Sequence, residues 1–443
     1  MMSYLFIACV VLFPALCSYV VAGRKDGGQL CLLVVFAGIF FLSVLWLIDE
    51  AIPFSGAGDD KAYFSASKRS FSSASDWFDL RQFKKTHEQA GYPLLLSWVH
   101  QFAGDSLYHR KALNVCFFLM LALVWFGIGR HIGGRRLGFV FAAGVILATP
   151  LWYYWIFLLK DMAITFLQSL FILGLVQSLS HRSATKGYGL IVLSTVFTIP
   201  FRSQLALVNL AALAGAILLR TGSRRSWKTS FVKVAMTSVM FLGIVILGMN
   251  PNILHQLGVS GEHQSLDPES VQAEFQFRGR SRSAQLTNAL MFPLLYLMGE
   301  VAAFNPKAWG TGGHALIRGL SMVPWIYVGV PLFVTGTWMI LRQKRFREGV
   351  ERILAGQERD PRVDSVRPER AHFLVLLMFV LIYAGVSWVS ADTTRWRMPA
   401  MPPMVAIAGL AWVRMDTPQR FGMLLGWGLL FSISLITYYA LFK

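Results

Sequence analysis

The chain has 443 residues, of which 55% are hydrophobic and 14% charged, and its mean hydropathy is +0.53. A soluble domain carries charge nearer about 25%, so composition argues against a water-soluble globular protein. The net charge of +18 would suit a nucleic-acid binder, but its placement between apolar blocks marks membrane topology instead, and no nucleic-acid partner is expected.

Apolar blocks of spanning length recur from end to end. A helix crosses the hydrocarbon core with about 20 mostly apolar residues. In lipid its backbone groups must be satisfied within the segment, which makes such blocks helices. They fall at roughly 3–22, 30–48, 112–128, 137–157, 162–179, 188–200, 205–219, 231–249, 317–341, 371–390, 401–413 and 421–441. The expected fold is an all-α polytopic membrane protein, one transmembrane domain over 1–443 with about 12 transmembrane helices. The first block lacks a charged leading region and an A-x-A-like site before Gly23, so it reads as a retained helix and not a signal peptide. Cys9, Cys17, Cys31 and Cys116 all fall within predicted spans, which implies no disulfide framework. Zinc-type Cys/His spacing, a P-loop, GxSxG and internal repeats are all missing from the sequence.

The loops alternate in charge. GRKDGG, GRHIGGRR, HRSATK, RTGSRRSWK with Lys233, the long basic loop 342–370 and VRMDTPQR together hold 23 Lys and Arg against 8 Asp and Glu. The positive-inside rule makes this set cytoplasmic and puts both termini outside. The run 342–370 reads as a solvated face.

Two outer segments are long. The first, 49–111, contains GDDKAYFSASKRSF and then THEQAGYPLLLSWVHQF. Its apolar positions in Ala62–Phe71 and Leu94–Phe102 suit interfacial amphipathic helices. The second, 250–318, carries a short apolar piece, Ala289–Phe304, that suits a half-inserted helix containing Glu300. Two brief outward points are charged: Lys160-Asp161, and Asp392 through Pro399 with Arg395 and Arg397. Pro399 and Pro402 disfavour regular helix there, so the backbone is expected to be extended, with both arginines facing one way.

Charge at a membrane boundary is a functional signal. Asp59, Asp60, Asp161 and Glu300 face Lys160, Arg202, Arg395 and Arg397 on the outer side. A carboxylate can take a proton from a hydroxyl, and arginines can hold a phosphate leaving group. Such a set suits a lipid-linked phosphate whose tail stays in the bilayer. The bland readings are a solvated turn for Asp59-Asp60, a local ion pair for Lys160-Asp161, and interface anchoring for Arg202, Arg395 and Arg397.

Four motifs in order carry a resemblance: GDDKAYFSASKRSF; Gly91-Tyr92-Pro93-Leu94-Leu95-Leu96; Lys160-Asp161-Met162 through Phe166-Leu167; and Arg395-Trp396-Arg397-Met398-Pro399-Ala400-Met401-Pro402. In these the chain resembles the C-type membrane glycosyltransferases, which use polyprenyl-phosphate sugars and include protein mannosyltransferases and lipid A aminoarabinose transferases. The motifs cover about a third of the chain. Asp60 stands where the family often has Glu, and two predicted spans precede the first outer loop where many relatives have one. The resemblance implies transfer of a sugar from a polyprenyl-phosphate donor to a protein, lipid or glycan acceptor. The expected setting is a bacterial inner membrane with the site facing the periplasm. It implies Asp59 as general base with Asp60 and Asp161 as the other catalytic acids. Arg395, Arg397, Lys160 and Arg202 are then donor-phosphate ligands, and Tyr63, His87, Glu300 and His314 are weaker substrate contacts. The resemblance specifies no cofactor and admits a divalent metal. An O-antigen polymerase or ligase is a close alternative, and a lipid-linked-sugar transporter or flippase is the alternative of another class.

Overall fold

Two glycine breaks fold the longest apolar stretches back on themselves. Helix α1 (Met2–Ala51) is two helices across a kink at Gly23, whose φ is 73°. That left-handed conformation costs an L side chain about 1–2 kcal/mol. The two arms run antiparallel and close together: a Cβ on Gly27 would fall 2.6 Å from Tyr19, and one on Gly38 3.0 Å from Val11. Helix α4 (Leu107–Ile146) repeats the device at Gly133 and Gly134, the latter with φ 79°.

The computed structural model describes residues 2–51, 58–68, 90–179, 184–202, 204–222, 296–297, 313–342, 370–390 and 397–442. The remaining elements are α2 (Gly58–Ala66), α3 (Gly91–Ala103), α5 (Thr149–Ile156), α6 (Asp161–Leu179), α7 (Ala184–Thr198) and α8 (Gln204–Gly222). After them come α9 (Gly313–Pro324), a π turn (Trp325–Gly329), α10 (Val330–Leu341) and α11 (Arg370–Ser390). A 3₁₀ turn (Met398–Ala400), α12 (Met401–Arg414) and α13 (Thr417–Phe442) complete the order. Among the described residues no strand occurs. Four helices there are long and apolar enough to cross a membrane: Met2–Glu50, Leu107–Ile146, Asp161–Leu179 and Gly319–Leu341. The expected span 231–249, most of 250–318 and most of 342–370 lie outside the described residues.

The outside of the bundle is apolar. Val20 is 86% exposed, Phe36 70% and Leu16 68%. In water such a face drives aggregation, whereas hydrocarbon solvates it. The inside is packed around α4, α6 and α12, where Trp125, Phe126 and Phe141 are buried. Trp125 satisfies its indole N–H on Ser169 Oγ at 2.9 Å. Helices α6 and α7 meet through glycine: a Cβ on Gly187 would lie 2.6 Å from the Ser178 nitrogen, and one on Gly174 2.8 Å from the Gly187 carbonyl. Small residues let backbones approach closely where lipid supplies no hydrophobic drive between helices.

Several expected boundaries move. The run 137–157 is not one helix: it breaks at Leu147–Ala148 between α4 and α5. Pro150 in the first turn of α5 donates no backbone hydrogen bond and crowds the carbonyl of Ile146. That carbonyl accepts from the Trp152 indole instead, at 3.0 Å. Helix α2 begins at Gly58, ahead of the expected Ala62, so Asp59 and Asp60 stand in its first turn. Helix α3 covers the expected Leu94–Phe102 and packs largely inward, with Tyr92 and Leu96 at 0% exposure, while Phe102 near its end is 52% exposed. Helix α4 starts at Leu107, so the end of the expected loop 49–111 is helical.

The turns sort to two ends. At one, Arg135 Nε pairs with Asp26 at 2.9 Å. There too Arg130 donates to the carbonyls of Val21 and Ala22, and the rings of His131 and His372 meet edge to face at 6.2 Å. At the other end Lys111 pairs with Asp49, and Ser3 Oγ donates to the Ala103 carbonyl. The helix starts and turns bearing Lys160, Asp161 and Arg202 lie at this second end.

Candidate functional site

The site is built from turns. The segment after α5 carries Lys160 and leads into α6 at Asp161, and backbone carbonyls from the end of α5 and from this segment converge on one side chain of α4. Asn114 Nδ2 faces the carbonyls of Tyr154 (3.3 Å), Phe157 (2.9 Å) and Leu159 (3.1 Å). Asn114 Oδ1 accepts from the Tyr92 hydroxyl at 3.0 Å. Tyr92 in turn packs edge to face on Tyr63 of α2, ring centroids 5.2 Å apart. Lys160 Nζ stands 5.8 Å from the centre of the Tyr63 ring, within cation–π range.

Helix α6 then opens on Asp161, which favours the positive end of the helix dipole. Arg202 Nη2 reaches Asp161 Oδ1 at 3.9 Å, and both residues are buried. Arg202 sits on the turn after α7, and that turn is tied to α3 by the Gly91 N–H donating to the Pro200 carbonyl at 2.9 Å. A side chain at Gly91 would run into Pro200. Tyr383 of α11 lies within electrostatic reach of Arg202 and Tyr296, and Tyr296 within reach of Arg397.

Arg397 differs from expectation. Its φ and ψ are −72° and −27°, helical and not extended. Pro399, Pro402 and Pro403 occupy the first turns of the 3₁₀ and α segments, where a missing N–H costs nothing. The extended backbone expected at Arg397 is therefore not found, while Arg395 and Trp396 lie outside the described residues. Arg397 is 1% exposed, and its guanidinium donates to the Tyr296 carbonyl at 3.4 Å and reaches Met322 Sδ at 3.0 Å.

Beside the site, Arg110 is fully buried, stacks on Phe64 of α2 at 4.4 Å and bonds Asp105 Oδ1 at 2.8 Å. Lys68, just past α2, pairs with Asp105 at 3.1 Å. Desolvation pushes the Asp105 carboxyl upward, but Arg110 and Lys68 outweigh it and hold it below the usual carboxylate value. Its contribution to stability is therefore present above the ordinary carboxylate pKa and is lost as pH falls through the lowered one. Between about pH 5 and about pH 3, the melting temperature of the wild type should fall more than that of Asp105→Asn; equal falls would mean the carboxylate holds nothing.

The structure thus brings Lys160, Asp161, Arg202 and Tyr63 together, with Arg397 beyond Tyr296 and Tyr383. Asp59 and Asp60 are on α2, and His314 is in the first turn of α9. His87, Glu300 and Arg395 lie outside the described residues. Among the described residues no three His, Cys, Asp or Glu gather as a metal site. Sequence reasoning missed Asn114 and Arg110. A lone amide inside an apolar run was the available signal for the first; the second was hidden by ending the loop at 111. No family model, curated protein or solved structure matches the chain.

Proposed function

We propose that this protein is a membrane glycosyltransferase that moves a sugar from a polyprenyl phosphate to an acceptor hydroxyl on a protein, lipid or glycan. The reading combines about 12 spans with a site at the non-cytoplasmic face, in a bacterial inner membrane. One observation carries it. Lys160, Asp161 and Arg202 are buried together at one end of an apolar bundle, against the helix that carries Asp59 and Asp60. Two cations against one carboxylate leave this end of the bundle with net positive charge, which a phosphate at the end of a lipid tail would complement.

In this reading Asp59 takes the proton of the acceptor hydroxyl. The oxygen attacks the anomeric carbon, and the carbon–phosphate oxygen bond breaks with its electron pair going to the phosphate. Arg395, Arg397, Lys160 and Arg202 hold that phosphate, and its charge is the same kind before and after transfer. Asp161 keeps Arg202 in place. Opposed end charges favour this over a transporter, which gathers its charges at mid-membrane.

The test is transfer of labelled sugar from a polyprenyl-phosphate donor by purified protein in liposomes. Its companion is mass spectrometry of surface proteins and glycans from cells with and without the gene. Loss of no glycan and no transfer from any donor would sink the proposal. Orientation is tested separately: cysteines placed at Ser73 and Ser265 should label from outside, and one at Ser365 should not. External labelling at Ser365 would put the site on the wrong face.

A further inference from the structure

We infer that Asn114 is the positioning residue of this site, the side chain that fixes Lys160 and Asp161 relative to the helix bearing Asp59 and Asp60; the inference rests on the glycosyltransferase reading. Asn114 is 0% exposed on α4, seven residues past the first residue of that helix, about 10 Å into it. It is an amide in an apolar stretch, Leu113 to Phe118, where a polar side chain is kept only if its hydrogen bonds are met.

Its hydrogen bonds are met by one segment. The carbonyls of Tyr154, Phe157 and Leu159 only accept, so the amide must present its NH₂ to them. That orientation leaves Oδ1 for the Tyr92 hydroxyl. The amide therefore cannot flip without setting Oδ1 against three carbonyls and losing those bonds. The backbone it holds is the last turn of α5 and the irregular stretch that follows, where the Phe157 carbonyl also accepts the Leu159 N–H at 2.9 Å. Lys160 follows Leu159 directly, and Asp161 opens α6.

The other side of the amide reaches the rest of the site. Tyr92 packs on Tyr63, and Tyr63 is the ring under Lys160 Nζ. Gly91, next to Tyr92, ties α3 to the turn that carries Arg202. One carboxamide thus joins three segments: the Lys160–Asp161 turn directly, α2 through two rings, and the Arg202 turn through α3. Asn114 touches no reacting atom in this scheme. It acts through the groups that do.

The experiment uses the full chain in nanodiscs, with Cys9, Cys17, Cys31 and Cys116 replaced by alanine and Leu159→Cys as a reporter. Leu159 is 8% exposed, so the thiol should react slowly with a water-soluble maleimide. Asn114→Leu, which keeps volume and removes every hydrogen bond, should raise the labelling rate about tenfold, and Tyr92→Phe about twofold, as expected when one or several anchors of a local opening are lost. Without the reporter, Asn114→Leu should lower kcat about 10²-fold with KM for the donor changed far less, as for a displaced catalytic group. If Asn114→Leu does not fold, Tyr92→Phe carries the same test with the smaller effect. Unchanged labelling overturns the inference whether or not the wild type transfers sugar. A lower melting temperature with kcat per folded molecule unaltered also overturns it and makes Asn114 a packing residue. A wild type without transfer, but with labelling that responds, removes the glycosyltransferase reading and keeps Asn114 as the organiser of the site.

Discussion

Asp59→Asn is expected to lower sugar transfer by about 10²-fold or more while folded yield holds, the range of a general base. The substitution keeps size and removes the basic charge. Asp59 stands in the first turn of α2. Asp161→Asn should behave differently. Asp161 faces Arg202 with both side chains buried, and removing one partner of a buried pair costs about 3–5 kcal/mol. Yield and melting temperature should fall together with activity. The contrast is measured as turnover per folded molecule. Near-normal turnover in Asp59→Asn would move the base to Asp60 or Asp161.

The second large effect concerns the arginines before α12. Arg397→Ala should remove nearly all activity, and Arg397→Lys most of it. Lysine keeps the charge but not the planar fork. Arg397 uses two different nitrogens for the Tyr296 carbonyl and the Met322 sulfur, and one ammonium does not span both. Arg395→Lys should likewise lose most activity, and with less effect on folding if that guanidinium meets only the donor phosphate. Donor binding, measured beside turnover, separates the roles. If Arg397 is an anchor alone, alanine lowers yield and leaves donor affinity per folded molecule intact.

Long apolar blocks made much of the architecture readable. The predicted 162–179 and 371–390 correspond to Asp161–Leu179 and Arg370–Ser390, because hydropathy ends where charge begins. The turn at Gly23 was visible in GRKDGG. The break at Leu147–Ala148 was not, since the run 137–157 stays apolar through it and Pro150 alone marks it. Arg397 misled for a related reason. Prolines near a helix start read as a disruption in sequence, yet they fit its first turn. Within the site, charged pairs were legible one by one, as Lys160-Asp161 and Arg202. What joins them was not. The link from Asn114 to Tyr92 and on to Tyr63 joins α4, α3 and α2 through contacts between side chains far apart in sequence, and no local pattern records it.

The glycine contact between α6 and α7 makes those helices a pair of tongs gripped near the handles. Gly174 and Gly187 meet about 20 Å along the helices from Asp161, while Asp161 and Arg202 are the tips. The width of the grip sets the gap between the tips. A single methyl at Gly187, which has only 2.6 Å to the Ser178 nitrogen, would wedge the handles and spread the tips, changing the gap between Asp161 and Arg202 without touching either. In the glycosyltransferase reading, the fit of a substrate at one end of the bundle is then set in part by a glycine contact at the other.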